Sequence, residues 1–272
     1  CRANATTKRD DTPMAFDPTA AARAIAVAHA QREDFRNLDG NLAPPTIGDA
    51  YSAQEALASI WAAERGPVVG LKIATTTKVM QALMGIDHPC GGMIFEKRVH
   101  ASPGTLKASD YIHMVVECEL AVRVGRDLDG PSGTHSAESV RGAVEEVMAA
   151  FELIEDRNAV YKETDARTLI ADDAWNAGIV TGAARKIGGD VELNGISARL
   201  FVDGALRDEG RTDDPMGALA WIANLAAERG RPLTRGMVVN TGSVGATLPI
   251  KVSETFRFEI DGIGEAEMTL AA

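Results

Sequence analysis

The stretch HMVVECELAVRV, His113 to Val124, sets two glutamates one residue apart inside an otherwise apolar run. Read with a period of two, Met114, Val116, Cys118, Leu120, Val122 and Val124 share one face, all apolar. His113, Val115, Glu117, Glu119, Ala121 and Arg123 share the other. This alternation predicts a half-buried β-strand. It also points Glu117 and Glu119 the same way, with Cα atoms roughly 6.5–7 Å apart. Two like charges on one face repel unless water, a basic partner or a cation lies between them. The plain reading is a solvent-facing edge whose acids pair with Arg123 or nearby lysines. The sharper one is a Mg²⁺ or Mn²⁺ site, because hard cations take carboxylate oxygens.

A third acid should then come from a neighbouring element. VRGAVEEVMAAFELIEDR supplies one: after a helix expected from the spacing of Val140, Val144 and Val147, Glu152 interrupts the apolar run from Ala149 to Ile154. A carboxylate in apolar surroundings is costly unless paired, and one cation would account for all three glutamates. Lys72, between Leu71 and Ile73 in VVGLKIATT, is a second anomaly. It reads either as a snorkelling lysine at a strand end or as a carboxylate anchor or proton carrier.

Outward from these residues, the 272-residue chain is long enough for one large domain or two small ones. Net charge is −11 with no Lys/Arg cluster along the sequence, which argues against nucleic acid or an anionic membrane as partner. No apolar run reaches membrane-spanning length and no signal-like segment is evident. Three unpatterned cysteines, Cys1, Cys90 and Cys118, argue against a disulfide scaffold, so a reducing cytoplasm is the expected compartment. Residues 1–13 are polar, with Met14 as the expected natural start, and they read as a leader.

Residues 14–66 read as a helical segment. Asp17 and Pro18 open a first helix, and a second carries Ser52 with Glu55 as a capping box and Gly66 as its stop. Residues 67–272 form one β-rich core. TLIADDAWNAGIVTG reads as a loop leading to a short strand, and Asp203-Gly204 as a hairpin turn. Asp214-Pro215 opens a late helix that Gly230 ends, followed by strands in GMVVNTG, TFRFEIDGIG and AEMTL. The strands lack βαβ spacing, so the expected fold is α+β with a mixed, largely antiparallel sheet system. TGSVGAT, Thr241 to Thr247, reads as a plain Gly-rich hairpin or as a nest of N–H groups around a carboxylate. His29, His100, His113 and His135 read as ordinary surface or loop histidines.

GLKIATT, GIDHPCGGMIF, VECELAV, AFELIEDR, IADDAWNAG and GMVVNTGSVGATLPI occur in this order from about residue 20 to the C-terminus. In order and spacing they resemble segments of the 2-keto-4-pentenoate hydratases and 4-oxalocrotonate decarboxylases of the fumarylacetoacetate hydrolase superfamily. The resemblance implies that superfamily's β-sheet roll or sandwich with flanking helices. It implies a divalent metal, Mg²⁺ or Mn²⁺, on Glu117, Glu119 and Glu152, with Lys72 and Asp87 as catalytic residues. Thr241, Gly242, Ser243 and Asp172 are the implied substrate-binding residues. Three segments depart from the family: its Asp-Asn-Ala is Asp172-Asp173-Ala174, its Gly-His-Pro is Asp213-Asp214-Pro215, and Ile-Ala-Thr-Thr follows the lysine. No metal ligand is lost by these changes.

The implied substrate is a small 2-oxo or 2-hydroxydienoic acid, and the implied reaction hydration, with decarboxylation of an oxalocrotonate-like diacid second. Hydrolytic C–C cleavage comes third, since the hydrolase His/Glu pairing is not evident. A homo-oligomer is expected, and association with a pathway enzyme would fit the family. A rival reading is an inactive partner subunit on the same fold. Such a relative has no physical reason to keep Lys72 and all three acids.

Overall fold

Asp17 caps the first helix, α1 (Pro18–Ala30), by accepting from Thr19 N–H at 2.9 Å. The computed structural model describes residues 15–188 and 191–272, so the expected leader, 1–13, and Met14 lie outside the described residues. α2 (Ile47–Arg65) ends at Gly66 as expected but starts earlier than its sequence signal. Its cap is Thr46, whose hydroxyl accepts from Asp49 N–H. The Ser52/Glu55 pair is therefore not a capping box: Ser52 donates to Gly48 O, and Glu55 pairs with Arg229 at 2.6 Å.

Past α2 the chain alternates between two sheets. Its strands are β1 (Val68–Ala74), β2 (Cys90–Phe95), β3 (Val99–Ala101), β4 (Gly104–Lys107), β5 (Met114–Val124), β6 (Val144–Glu155) and β7 (Asn176–Thr181). They continue with β8 (Arg185–Lys186), β9 (Ser197–Val202), β10 (Ala205–Arg211), β11 (Val238–Ser243), β12 (Leu248–Pro249), β13 (Thr255–Ile260) and β14 (Gly264–Ala271). Between them lie α3 (Lys78–Leu83), α4 (Ala137–Arg141), α5 (Ala166–Ala171) and α6 (Pro215–Glu228).

The larger sheet runs β2-β1-β11-β5-β6-β7-β3, with β12 against β5 and β8 against β6. The smaller runs β10-β9-β13-β14-β4. Most neighbours are antiparallel, while β1–β11, β3–β7 and β4–β14 are parallel. The fold is thus α+β with two mixed sheets.

Two expected secondary-structure elements differ as well. Val144 and Val147 belong to β6, not to a helix, and α4 stops at Arg141. A valine-rich stretch between two strands is stabilised more by ladder pairing than by its helical spacing. The stretch TLIADDAWNAG, expected as a loop, begins inside α5, which Asp165 caps. The Asp203-Gly204 turn does join β9 to β10, with φ of 51° and 81°, the left-handed pair a tight hairpin needs.

The face of β5 carrying Met114, Val116, Cys118, Leu120, Val122 and Val124 packs into the main core. There Phe151 of β6 meets Phe256 and Phe258 of β13 at ring distances of 6.4 and 6.1 Å. Burying each such ring contributes about 1.5–3 kcal/mol. The opposite face is also covered, so β5 is buried on both sides rather than half-buried. Glu119 is consequently wholly out of water.

Candidate metal centre

Register brings the acids together. Glu117 of β5 stands directly opposite Glu152 of β6, so both point to one face of the sheet, and Glu119 follows two residues along. Carboxylate oxygens of the three glutamates lie within 4.8 Å of one another. Burial raises the carboxyl of Glu119 far above the usual carboxylate range, and the charges of Glu152 and Glu117 raise it further. Glu117 is raised for the same reasons, burial first and then Glu152, against the opposing pull of Thr247 and Lys72.

Local contacts fix each acid but leave oxygens free. Gly242 N–H donates to Glu119 Oε2 at 2.8 Å, and the Thr247 hydroxyl donates to Glu117 Oε1. Asn176 Nδ2 donates to Glu152 Oε1 at 3.3 Å. Glu119 Oε1 and Glu152 Oε2 are buried with no hydrogen-bond partner. Orphaned buried carboxylate oxygens facing one another are costly, and an oxygen-only donor set suits a hard divalent cation such as Mg²⁺ or Mn²⁺. The residues present fit such an ion.

Lys72 stands on the same face. Its register partners are Asn240 of β11 and Gly92 of β2. It is 1% exposed, so it is not a snorkelling residue. Nζ lies 2.7 Å from Glu152 Oε1 and donates to Ala174 O at 2.6 Å. Burial pulls its ammonium down, but the charge and hydrogen bond of Glu152, with Glu117 and Asp173 behind, outweigh this and hold it above the usual lysine range. Gly92 makes the room: a Cβ there would come within 2.7 Å of Asp173 O and 2.8 Å of Lys72 Cε.

Ala174 reaches Lys72 through an unusual turn. Asp173, Ala174 and Trp175 all hold left-handed φ, at 54°, 46° and 59°. Asp173 Oδ1 accepts from Met93 N–H at 2.7 Å and pins the turn to β2. Burial pushes the Asp173 carboxyl up to about 8, although the Met93 N–H, Lys72 and Arg65 draw it down.

A cavity of about 270 Å³ opens from this cluster. Lys72, Glu117, Thr75–Thr77, Ser243 and Thr247 line its polar end, and Met80, Met84, Ile154, Leu169 and Trp175 its apolar part. Lys72 is the one cation among its lining residues.

Several implied site residues lie elsewhere. Asp87 is exposed and does not line the cavity; its carbonyl accepts from Lys78 at 3.3 Å. Asp172 is buried away from the cavity, bonded to His29 Nε2 at 2.6 Å and Arg157 at 2.5 Å. Burial raises that carboxyl, but His29 and Arg157 together hold it below the usual range. His29 is therefore no ordinary surface histidine, whereas His113, which bonds Asp156, keeps its side chain partly exposed at the surface. Thr241 donates to Leu120 O, and Gly242 serves Glu119, so only Ser243 of that trio lines the cavity. Sequence reading missed Thr247, Asn176 and the Ala174 carbonyl. It also missed Asn240, fully buried on the Lys72 face with neither amide atom bonded.

A family model described as fumarylacetoacetate (FAA) hydrolase C-terminal matches residues 87–271. The 2-keto-4-pentenoate hydratase 2 of Dechloromonas aromatica (strain RCB) is 30% identical over 260 residues, covering 93% of this chain and 97% of the relative. The 4-oxalocrotonate decarboxylase of Pseudomonas putida is 27% identical, with 90% and 93% covered. Among solved structures, 4-oxalocrotonate decarboxylase from Pseudomonas putida G7, complexed with magnesium and adipate, aligns with a TM-score of 0.84 and 25% identity. That alignment covers 98% of this chain and all of the other.

Proposed function

The chain belongs to the fumarylacetoacetate hydrolase family, and from that membership and the site geometry we propose that it is a metal-dependent hydratase of a 2-hydroxy-2,4-dienoic or 2-oxo-4-enoic acid. The observation that carries this reading is the cavity itself. Lys72 and Glu117, with Glu119 and Glu152 clustered against it, form one end, and a largely apolar chamber without any further cation among its lining residues forms the rest. A substrate with one carboxylate and an uncharged tail fits both ends. A second carboxylate would lose its hydration among Met80, Met84 and Ile154 with nothing to neutralise it.

A divalent cation held by Glu117, Glu119 and Glu152 would supply Lewis-acid stabilisation of negative charge on the substrate's C2 oxygen. The chain's own groups do the rest. An ammonium has three N–H bonds, and Lys72 commits two of them, to Glu152 and the Ala174 carbonyl. The third is free to bond the substrate carboxylate or C2 oxygen, and to move a proton as the dienol becomes the conjugated ketone. Water then adds across the remaining C=C bond, its oxygen to the distal carbon and its proton to the carbon beside the ketone. Met80, Met84 and Trp175 give the chamber its apolar wall.

Decarboxylation remains the second reading, carried by the structural likeness to the magnesium-bound decarboxylase. Product NMR with 2-hydroxypenta-2,4-dienoate and a 2-hydroxymuconate-type diacid, with and without Mg²⁺, separates them. Hydration of the monoacid only when Mg²⁺ is present is expected. CO₂ release from the diacid without hydration of the monoacid would overturn the proposal.

A further inference from the structure

A second cavity, of about 330 Å³, lies between α1, α2 and the strand ends on the other side of Asn176. Four arginines distant in sequence line it: Arg32, Arg65, Arg98 and Arg157. Two are occupied. Arg157 pairs with Asp172, and Arg32 donates to the carbonyls of Ser109 and Tyr111.

The other two lack an equal partner. Arg65 lies flat over Trp61, 3.4 Å from the ring centroid, and its Nε is buried with no acceptor. No acid among the described residues is within ion-pair distance of it. Burial, and then the charge of Arg98, pull its guanidinium down to about 10, against the more distant pull of Asp173, Glu64 and Asp172. Arg98 reaches only Glu64, at 3.6 Å, and that carboxylate is largely in solvent. Of the other acids of the wall, Glu155 is buried and already committed to the N–H groups of Ile112, His113 and Arg157, and Asp110 is exposed to solvent. In a chain of net charge −11, two under-neutralised guanidinium groups on one cavity mark a place for an anion.

We propose that this cavity binds a small organic carboxylate, held by the forks of Arg65 and Arg98. Guanidinium groups match a carboxylate in bidentate geometry. Ala26, Ala30 and Ile60 add an apolar patch to the wall that an organic anion can cover and an inorganic one cannot. The site is separate from the glutamate cluster, but not remote: Asn176 lines this cavity and donates to Glu152.

The test is calorimetric titration of the Mg²⁺-loaded protein with benzoate and, separately, inorganic phosphate. Wild type should bind benzoate more tightly than phosphate. Arg65→Met and Arg98→Met should each weaken benzoate by about tenfold or more, the scale of a lost charge-assisted bond. Arg65→Lys keeps the charge without the fork and supplies a second folded variant, with intermediate affinity expected. Mg²⁺ affinity should be the same in all four proteins. Identical benzoate isotherms in wild type and both Met variants would show uptake at the glutamate site alone and sink the proposal. Tighter phosphate than benzoate would overturn the carboxylate class. If wild type binds no benzoate and sediments as a larger species than Arg98→Glu, a second copy of the chain fills the cavity and the proposal fails.

Discussion

Lys72 Nζ lies 2.7 Å from Glu152 Oε1, with the lysine side chain 2% exposed and the glutamate's wholly buried. The pair places a fixed positive charge inside the acid cluster. One of the three glutamates is therefore balanced by the chain itself.

Glu152→Gln preserves volume but leaves the Lys72 ammonium without its counter-charge. Removing one member of a buried pair costs roughly 3–5 kcal/mol, so the metal-free variant should unfold at lower urea. Mg²⁺ affinity should fall by about tenfold or more, since one anionic ligand is lost. Wild-type Mg²⁺ affinity by calorimetry would remove Glu152 from the ligand set.

Lys72→Met keeps length and apolar packing while deleting the charge. On the true substrate, kcat/KM should drop by about 10²-fold or more, the usual scale of a positioned proton donor. Mg²⁺ affinity should hold or rise, because the ammonium no longer competes for Glu152. Unchanged kcat and KM would show that the lysine takes no part.

Stability of the metal-free protein should fall as pH rises from the ordinary carboxylate range toward about 8. The sign follows from Glu117, Glu119 and Asp173, all raised by burial. The folded state then binds more protons than the unfolded one, so deprotonation favours unfolding. Saturating Mg²⁺ should flatten the dependence by stabilising the ionised glutamates. Melting temperature against pH, with and without Mg²⁺, measures both.

Thr247→Val removes the hydroxyl bonded to Glu117 at nearly constant volume. A hydrogen bond to a charged group contributes about 1.5–3 kcal/mol, part of which the metal can replace. Mg²⁺ binding should weaken by several-fold while the fold holds. An unaltered isotherm would mean that Thr247 does not orient the ligand.

Glu117 and Glu119 were legible because period-two alternation sets them side by side on one face of the strand, and Glu152 because it interrupts an apolar run. Lys72 was legible for the same reason. Thr247 was not, since a loop hydroxyl obeys no period. Asp172 was placed with the substrate by the family resemblance, whereas folding commits its carboxylate to His29 and Arg157 and that of Asp173 to the Met93 N–H. Val144 and Val147 fit a helical spacing as well as a strand, and only pairing with β5 decides between them. The arginine cavity was invisible, because residues 32, 65, 98 and 157 become neighbours only after folding.

The turn through Asp173, Ala174 and Trp175 places three side-chain-bearing residues where each costs about 1–3 kcal/mol. Two straps oppose that tension, the Met93 N–H on Asp173 and the Lys72 ammonium on the Ala174 carbonyl. Trp175, at the far end of the same turn, forms part of the cavity wall. The strap on Lys72 and the Trp175 wall are thus parts of one strained turn. A change that slackens the Lys72 strap should therefore be felt at Trp175, the part of the cavity wall that the same turn carries.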